Sequence, residues 1–252
     1  MTQIKRNLTE THAGVWRLVA NNPSPMTGPG TNTYLVGHDR VVIIDPGPDN
    51  VLHLNNILGA LQSLGAKAES VVITHHHTDH AGCAARLATR LAVPLISYDN
   101  PLRHGTEIQV NGSTLVVQHT PGHIAAHLCL WLAQQKLLFA GDLVAGQGTV
   151  LIIPPEGDMA AYLDSLRAVK ALAPAAILPG HGPVINNPDA LLQEYIDHRL
   201  EREQQVLYWY GRGFTTAPDI AAQIYTNRPA VMGIATLQVE AHLAKLRREG
   251  RL

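Results

Sequence analysis

Apolar positions along this chain fall into two regimes, short strand-like blocks first and helical spacing afterwards. Runs rich in Val, Ile, Leu and Thr occur at residues 15–19, 32–36, 41–44, 70–73, 94–97, 107–110 and 114–118, the length and composition expected of β-strands. Asn111-Gly112 separates the last two and predicts a hairpin. Between the strands, residues 51–64 place Leu52, Leu54, Ile57 and Leu61 on one helical face, and the Ala-rich segment 81–91 reads as a second helix. Further strands are expected at 128–132, 136–140, 150–152 and 176–178, with a helix at 159–172. Hairpins mixed with covering helices point to a two-layered α+β sandwich rather than a purely parallel sheet.

The pattern changes near Asn186-Asn187-Pro188. Helices are predicted at 190–209, 217–225 and 235–248, the last with Ala235, Val239, Leu243 and Leu246 as a buried stripe and Gly250 to stop it. We therefore expect a domain at 1–187 and a small helical, winged-helix-like domain at 188–252. From residue 197 onward, eight basic side chains face six acidic ones, a modest excess that makes no strong phosphate-binding footprint. A lid or a homodimer contact is an equal use for such a domain.

Composition adds bounds. The 252 residues are 46% hydrophobic with a formal net charge of −1, enough for a large core and without the charge of a polyanion binder. Neither a basic-then-apolar leader nor 18 uninterrupted apolar residues are seen, so a cytoplasmic protein with no membrane partner is expected. Cys83 and Cys129 lie in Ala- and Leu-rich runs and read as buried small residues rather than a disulfide or ligands.

The chemistry sits at strand ends. Thr74-His75-His76-His77-Thr78-Asp79-His80 follows the run 71–73. His75 and His77, two apart on extended chain, face one way and can close on one ion, while His76 and Thr78 should point away. Asp79 and His80 follow where the chain turns into helix. Downstream, Thr120-Pro121-Gly122-His123, Gly141-Asp142 and Gly180-His181 each deliver one ligand after an apolar run. A carboxylate can bridge two cations and an imidazole cannot, so Asp142 is the natural shared ligand between a His75/His77/His123 site and an Asp79/His80/His181 site. Nitrogen-rich sites with carboxylates suit two divalent ions, zinc first, with manganese or iron also accommodated. Such a centre would activate water as hydroxide, with Asp79 and Asp142 as its catalytic carboxylates. Asp45 is expected to brace a ligand imidazole and His127 to stand at the rim.

T-H-x-H-x-D-H followed by T-P-G-H, G-D and G-H resembles the metallo-beta-lactamase superfamily. Gly30-Thr31-Asn32-Thr33-Tyr34-Leu35-Val36, Ile44-Asp45-Pro46-Gly47, the stretch 178–185, and His198-Arg199 with Arg202-Glu203-Gln204-Gln205 resemble more narrowly the beta-lactamase-like protein two family. The resemblance implies an αββα sandwich with metals at one edge and a winged-helix-like tail. It also implies a metal-dependent hydrolase, with an endoribonuclease acting on single-stranded RNA as the leading activity. Hydrolysis of a small-molecule carboxylic derivative, by a glyoxalase II-like thioesterase, a lactonase or a beta-lactamase, is the alternative. A mononuclear iron thiol dioxygenase is a remote third, because it would leave Asp79, His80 and His181 without a purpose. Specificity is assigned to the Pro- and Gly-bearing loops 22–30 and 145–157.

Overall fold

Strand alternation in the computed structural model sends neighbouring residues to opposite sides of one sheet, which explains why its strands read as unbroken apolar runs. The structure describes residues 8–98, 101–226 and 228–252. They form two compact units: residues up to His119 with 126–149 and 174–187, and 120–125 with 150–173 and 188–252.

The first unit holds two mixed sheets. β1 (Leu8–His12), β2 (Val15–Val19), β3 (Asn32–Gly37), β4 (Arg40–Ile44), β5 (Lys67–Val72), β6 (Leu95–Tyr98) and β7 (Pro101–Leu102) lie side by side in chain order. The pairs from β1 to β4 are antiparallel and those from β4 to β7 parallel. The second sheet runs β12 (Ala176–Pro179), β11 (Leu137–Gly141), β10 (Leu128–Leu132), β9 (Ser113–His119) and β8 (Glu107–Val110), parallel only between β11 and β12. Val110 pairs with Ser113 across Asn111-Gly112, both at positive φ (47° and 76°), which is the hairpin that the dipeptide predicts.

Tyr34, Val36, Val42, Ile44 and Val72 of the first sheet share one buried cluster with Leu115, Val117, Leu130, Phe139 and Leu178 of the second. Their neighbours Leu35, Val41, Ile43 and Val71 face the other way, onto Leu54, Ile57 and Leu61 of α1 (Val51–Leu64) and Leu87 of α3 (Ala84–Leu91). Each such side chain contributes roughly 1.5–3 kcal/mol by leaving water. Helix α1 starts where the Asn50 side chain accepts from the amides of Leu52 and His53. The helix expected at 81–91 is preceded by a separate turn, α2 (Thr78–Ala81), which carries Asp79 and His80. β1 was not predicted; its polar sequence LTETH sits at an edge with one partner strand and little to bury.

The second unit contains α4 (Met159–Ala171), α5 (Pro188–Tyr210), α6 (Ala217–Ile224) and α7 (Met232–Arg248). Ala235, Val239, Leu243 and Leu246 form the expected stripe, packed with Val206, Ile220 and Ala221. No strand forms at 150–152, contrary to its apolar pattern. The Val150 carbonyl accepts from the buried Arg199 guanidinium (2.6 Å), that of Leu151 lies 2.9 Å from His123 Nδ1, and that of Ile152 accepts from Gln238 (3.0 Å). Side chains take the bonds a sheet would have used. Arg199 also donates to Gln238 and stands over the Tyr162 ring, while Lys245 and Arg251 pair with the buried Glu203 and Arg248 with Asp158. Arg199, Lys245, Arg248 and Arg251 of the tail are thus engaged internally, and Arg202 donates to Gln205 and stands over the Tyr225 ring. Among the described residues no helix is long and apolar enough to cross a membrane, and Cys83 and Cys129 are buried without a disulfide.

His242 on α7 is fully buried with neither ring nitrogen hydrogen-bonded among the described residues. Burial, reinforced by Arg199, Lys245, Arg202 and His198, lowers its pKa to about 3. The folded value lies below the unfolded one, so the unfolded chain gains a proton first as pH falls and stability drops below about pH 6.5. His242→Leu should therefore gain about 2 kcal/mol on the wild type between pH 7 and pH 5, read by denaturant titration. Parallel pH dependence in both proteins would contradict this.

Candidate metal centre

Six of the seven predicted ligands lie in the first unit, where turns at the ends of β5, β11 and β12 bring them together. His75 Nε2 stands 3.0 Å from His77 Nδ1. His80 Nε2 lies 3.2 Å from His181 Nε2 and 3.3 Å from Asp142 Oδ1. His181 Nε2 lies 3.4 Å from that same oxygen and 3.3 Å from Asp79 Oδ2. Two groups of potential ligand atoms within this unit, His75/His80/Asp142 and Asp79/His80/His181, each fall within 4.8 Å of one another. His75, His80 and His181 are buried, His77, Asp79 and Asp142 partly so, and the spacers His76 and Thr78 are exposed. The seventh, His123, belongs to the segment 120–125 of the second unit. That segment is fastened there by Ser165 Oγ donating to Pro121 O (2.7 Å) and Asp158 N to Gly122 O (2.8 Å).

Hydrogen bonds fix which nitrogen each ring offers. Asp45 Oδ2 lies 2.9 Å from His80 Nδ1, and its two oxygens accept from Thr74 N and Thr74 Oγ1, both at 2.7 Å. Because the Thr74 hydroxyl gives its proton to Asp45, it can only accept from His75 Nδ1, 3.0 Å away. The Gly30 carbonyl faces His181 Nδ1 at 3.4 Å, as that of Leu151 faces His123 Nδ1. Each of these rings carries a proton on Nδ1, which makes Nε2 the atom that binds a metal once deprotonated, as in metal-ligating histidines. Atoms bound tetrahedrally at about 2.0–2.1 Å stand roughly 3.3–3.4 Å apart. The spacings of 3.2 to 3.4 Å among His80, His181 and Asp142 and between His181 and Asp79 match that edge, while Asp79 Oδ2 stands further from His80 Nε2, at 3.8 Å. Lone pairs facing at such range repel unless a cation or proton lies between them, so the donor set fits a divalent metal.

Electrostatics agree. Burial alone would favour a neutral His80, but Asp142 and Asp45 outweigh it and hold its pKa well above the usual value. His181, likewise opposed by burial, is raised to about 9 by Asp142 and Asp79. Burial disfavours the Asp142 carboxylate, yet His80 and His181 keep it well below its ordinary range, and His181 does the same for Asp79 to a lesser degree.

Support comes from further residues around the ligands. His127 Nε2 accepts the Asp142 amide at 3.0 Å, so it braces the carboxylate from behind rather than standing at the rim. A Cβ at Gly141 (φ 46°) would meet Thr74 Oγ1 at 2.6 Å and this His127 nitrogen at 2.8 Å, which explains a glycine before the aspartate. Asn32 Nδ2 donates to Pro179 O (2.8 Å) and Gly182 O (2.9 Å), and the Tyr34 hydroxyl to Pro179 O (2.8 Å), fixing the turn that bears His181. Asn32 and Tyr34 belong to the 30–36 stretch, which the sequence offered only as a likeness. Asp45 has φ +49°, a left-handed conformation costing about 1–3 kcal/mol unless its surroundings hold it.

Comparison with known proteins gives the same direction. The model of the metallo-beta-lactamase superfamily matches residues 26–113 and 96–181. A beta-lactamase-like protein 2 homolog of Caenorhabditis elegans is 33% identical, over 94% of this chain and 85% of the relative. An atrochrysone carboxyl ACP thioesterase of Aspergillus chevalieri is 32% identical, over 85% and 74%. The crystal structure of a beta-lactamase domain protein from Burkholderia ambifaria superposes with a TM-score of 0.83 at 20% identity, over 96% of this chain and 88% of that one.

Proposed function

The chain belongs to the metallo-beta-lactamase superfamily, and from that premise we propose that it is a hydrolase with a dinuclear metal centre, acting on a carboxylic ester or thioester. The observation that carries the centre is the convergence of His80, His181 and Asp142 at tetrahedral-edge spacing, with Asp79 at the same distance from His181. On this reading His75, His77 and His123 would hold one divalent ion and Asp79, His80 and His181 the other, with Asp142 contributing to both. His123 is assigned by its place in the motif order and by its Nδ1 facing Leu151 O, which leaves Nε2 for a metal. Zinc suits the set best, with manganese or iron accommodated. Two such cations, when bound, supply Lewis acidity and bring the pKa of water from 15.7 to about 7.

The chain's own groups do the rest. Asp45 and Thr74 keep His80 and His75 in the ligating tautomer. His127 orients Asp142 through its amide. Asp79, partly exposed and in contact with His181 through Oδ2, would take the proton of the attacking water and pass it to the leaving group.

Among substrates, a net charge of −1 and the internal pairing of Lys245, Arg248 and Arg251 argue for an uncharged acyl group over a polyanion. The similarity to a protein named a thioesterase is consistent with this. Phosphodiester cleavage in single-stranded RNA is the second reading, favoured by a likeness to the beta-lactamase-like protein 2 homolog that runs through both units. A parallel assay of zinc-loaded protein on a glutathione thioester, a β-lactam, bis-nitrophenyl phosphate and labelled single-stranded RNA separates them. Thioester turnover lost in His77→Ala is expected; cleavage confined to RNA would favour the second reading.

A further inference from the structure

Behind Asp45 the hydrogen bonds continue away from the ligands. The Thr33 hydroxyl donates its single proton to the Asp45 carbonyl at 2.7 Å. Towards His53 Nε2, 2.8 Å away, the same oxygen can therefore only accept. His53 is thus protonated on Nε2, and its Nδ1 is bare, buried and without a hydrogen-bond partner among the described residues. The ring is 2% exposed, and burial lowers its pKa to about 4, so it is neutral near pH 7. Its Cδ2 edge packs so tightly on Gly47 that a Cβ there would stand 2.8 Å away. No step of the proposed reaction uses this imidazole, and a leucine would fill the space without burying an unpaired nitrogen.

What the pair holds is the strained residue of the site. Asp45 keeps φ +49° between two clamps, Thr74 and His80 on its carboxylate and Thr33 on its carbonyl. We propose that His53 and Thr33 are positioning residues of the metal centre: His53 orients the Thr33 hydroxyl, which fixes the Asp45 backbone so that its carboxylate can aim the His80 ring. The inference rests on the metal-binding reading above and extends it to residues of α1 and β3 that stand behind Asp45 rather than touching the ligands.

Zinc alone is the probe, titrated into metal-free full-length protein against a chelator. Thr33→Val removes the hydroxyl at nearly constant shape and Thr33→Ser keeps it; His53→Leu removes the ring N–H and His53→Gln restores an N–H donor. Thr33→Val and His53→Leu should weaken one zinc equivalent about 10-fold, the low end for partners behind a ligand, and leave the other unchanged. Turnover should fall in kcat with KM unaltered, and the Ser and Gln variants should recover both properties. In metal-free protein, the hydrogen-bonded His80 Nδ1 proton seen by NMR should be lost in the Val and Leu variants. Wild-type zinc binding and an unaltered ring proton in those two variants would overturn the proposal, as would equal losses in the Ser and Gln variants, the mark of packing alone. If the wild type took up no zinc, the metal reading would fail by itself, and the ring proton would still decide whether Thr33 and His53 act on His80.

Discussion

Asp142→Ala is expected to abolish turnover and to lower the metal content of the purified protein. One oxygen of this carboxylate lies 3.3 Å from His80 Nε2 and 3.4 Å from His181 Nε2, so it faces both of these rings at once. Burial would raise its pKa, but the two rings overcome that and keep it ionised. Without it, His80 and His181 present nitrogens 3.2 Å apart and lose the carboxylate oxygen that lies within 3.4 Å of both. Losing a residue that merely braces a ligand costs 10–100-fold; a shared ligand should exceed that, at about 10³-fold or more in kcat/KM. Asp142→Asn keeps the shape and loses the charge, and should be nearly as inactive. Either variant retaining both metal and activity would show that Asp142 is not the bridge.

Stripping the metals should have an effect at least as large, because the described site offers no alternative activation of water beyond the Asp79 and Asp142 carboxylates. Reloading should be strongly pH-dependent. An imidazole ligates only when its Nε2 is deprotonated. His181, raised to about 9, and His80, held well above its ordinary value, must each release a proton to a metal. Zinc affinity should therefore climb as pH rises through the neutral range towards 9 and fall as it is lowered, with proton release on binding visible by calorimetry in buffers of different ionisation enthalpy. A flat affinity between pH 6 and pH 8 would contradict the assignment of these two rings as ligands.

The sandwich was legible because alternation is local. Val41 and Ile43 on one side, Val42 and Ile44 on the other, all need apolar neighbours, and the sequence records that directly. β1 was illegible because an edge strand with one partner buries little. The run 150–152 misled because its carbonyls are claimed by Arg199, Gln238 and His123, partners far away in sequence. Much the same holds at the site. His75, His77, Asp79, His80, Asp142 and His181 follow strand ends, so their grouping could be read from motif order. Thr33, His53 and His127 act through register and approach: Thr33 reaches the Asp45 carbonyl across strands, and His127 meets an amide 15 residues on. Nothing local in the sequence marks out Thr33 or His53, and the position of His127 suggests the rim but not its contact with the Asp142 amide. Substrate choice was equally unwritten, since it turns on which cations are engaged elsewhere, and only the folded chain ties Arg248 to Asp158 and Lys245 to Glu203.

The most direct test is a titration of metal-free protein with zinc, following bound metal and hydrolytic activity together. Two equivalents per chain are predicted, with negligible activity before the first and a plateau at the second. Full activity in the metal-free protein, or a plateau reached with one equivalent and unaffected by Asp142→Ala, would contradict a dinuclear centre built on these residues.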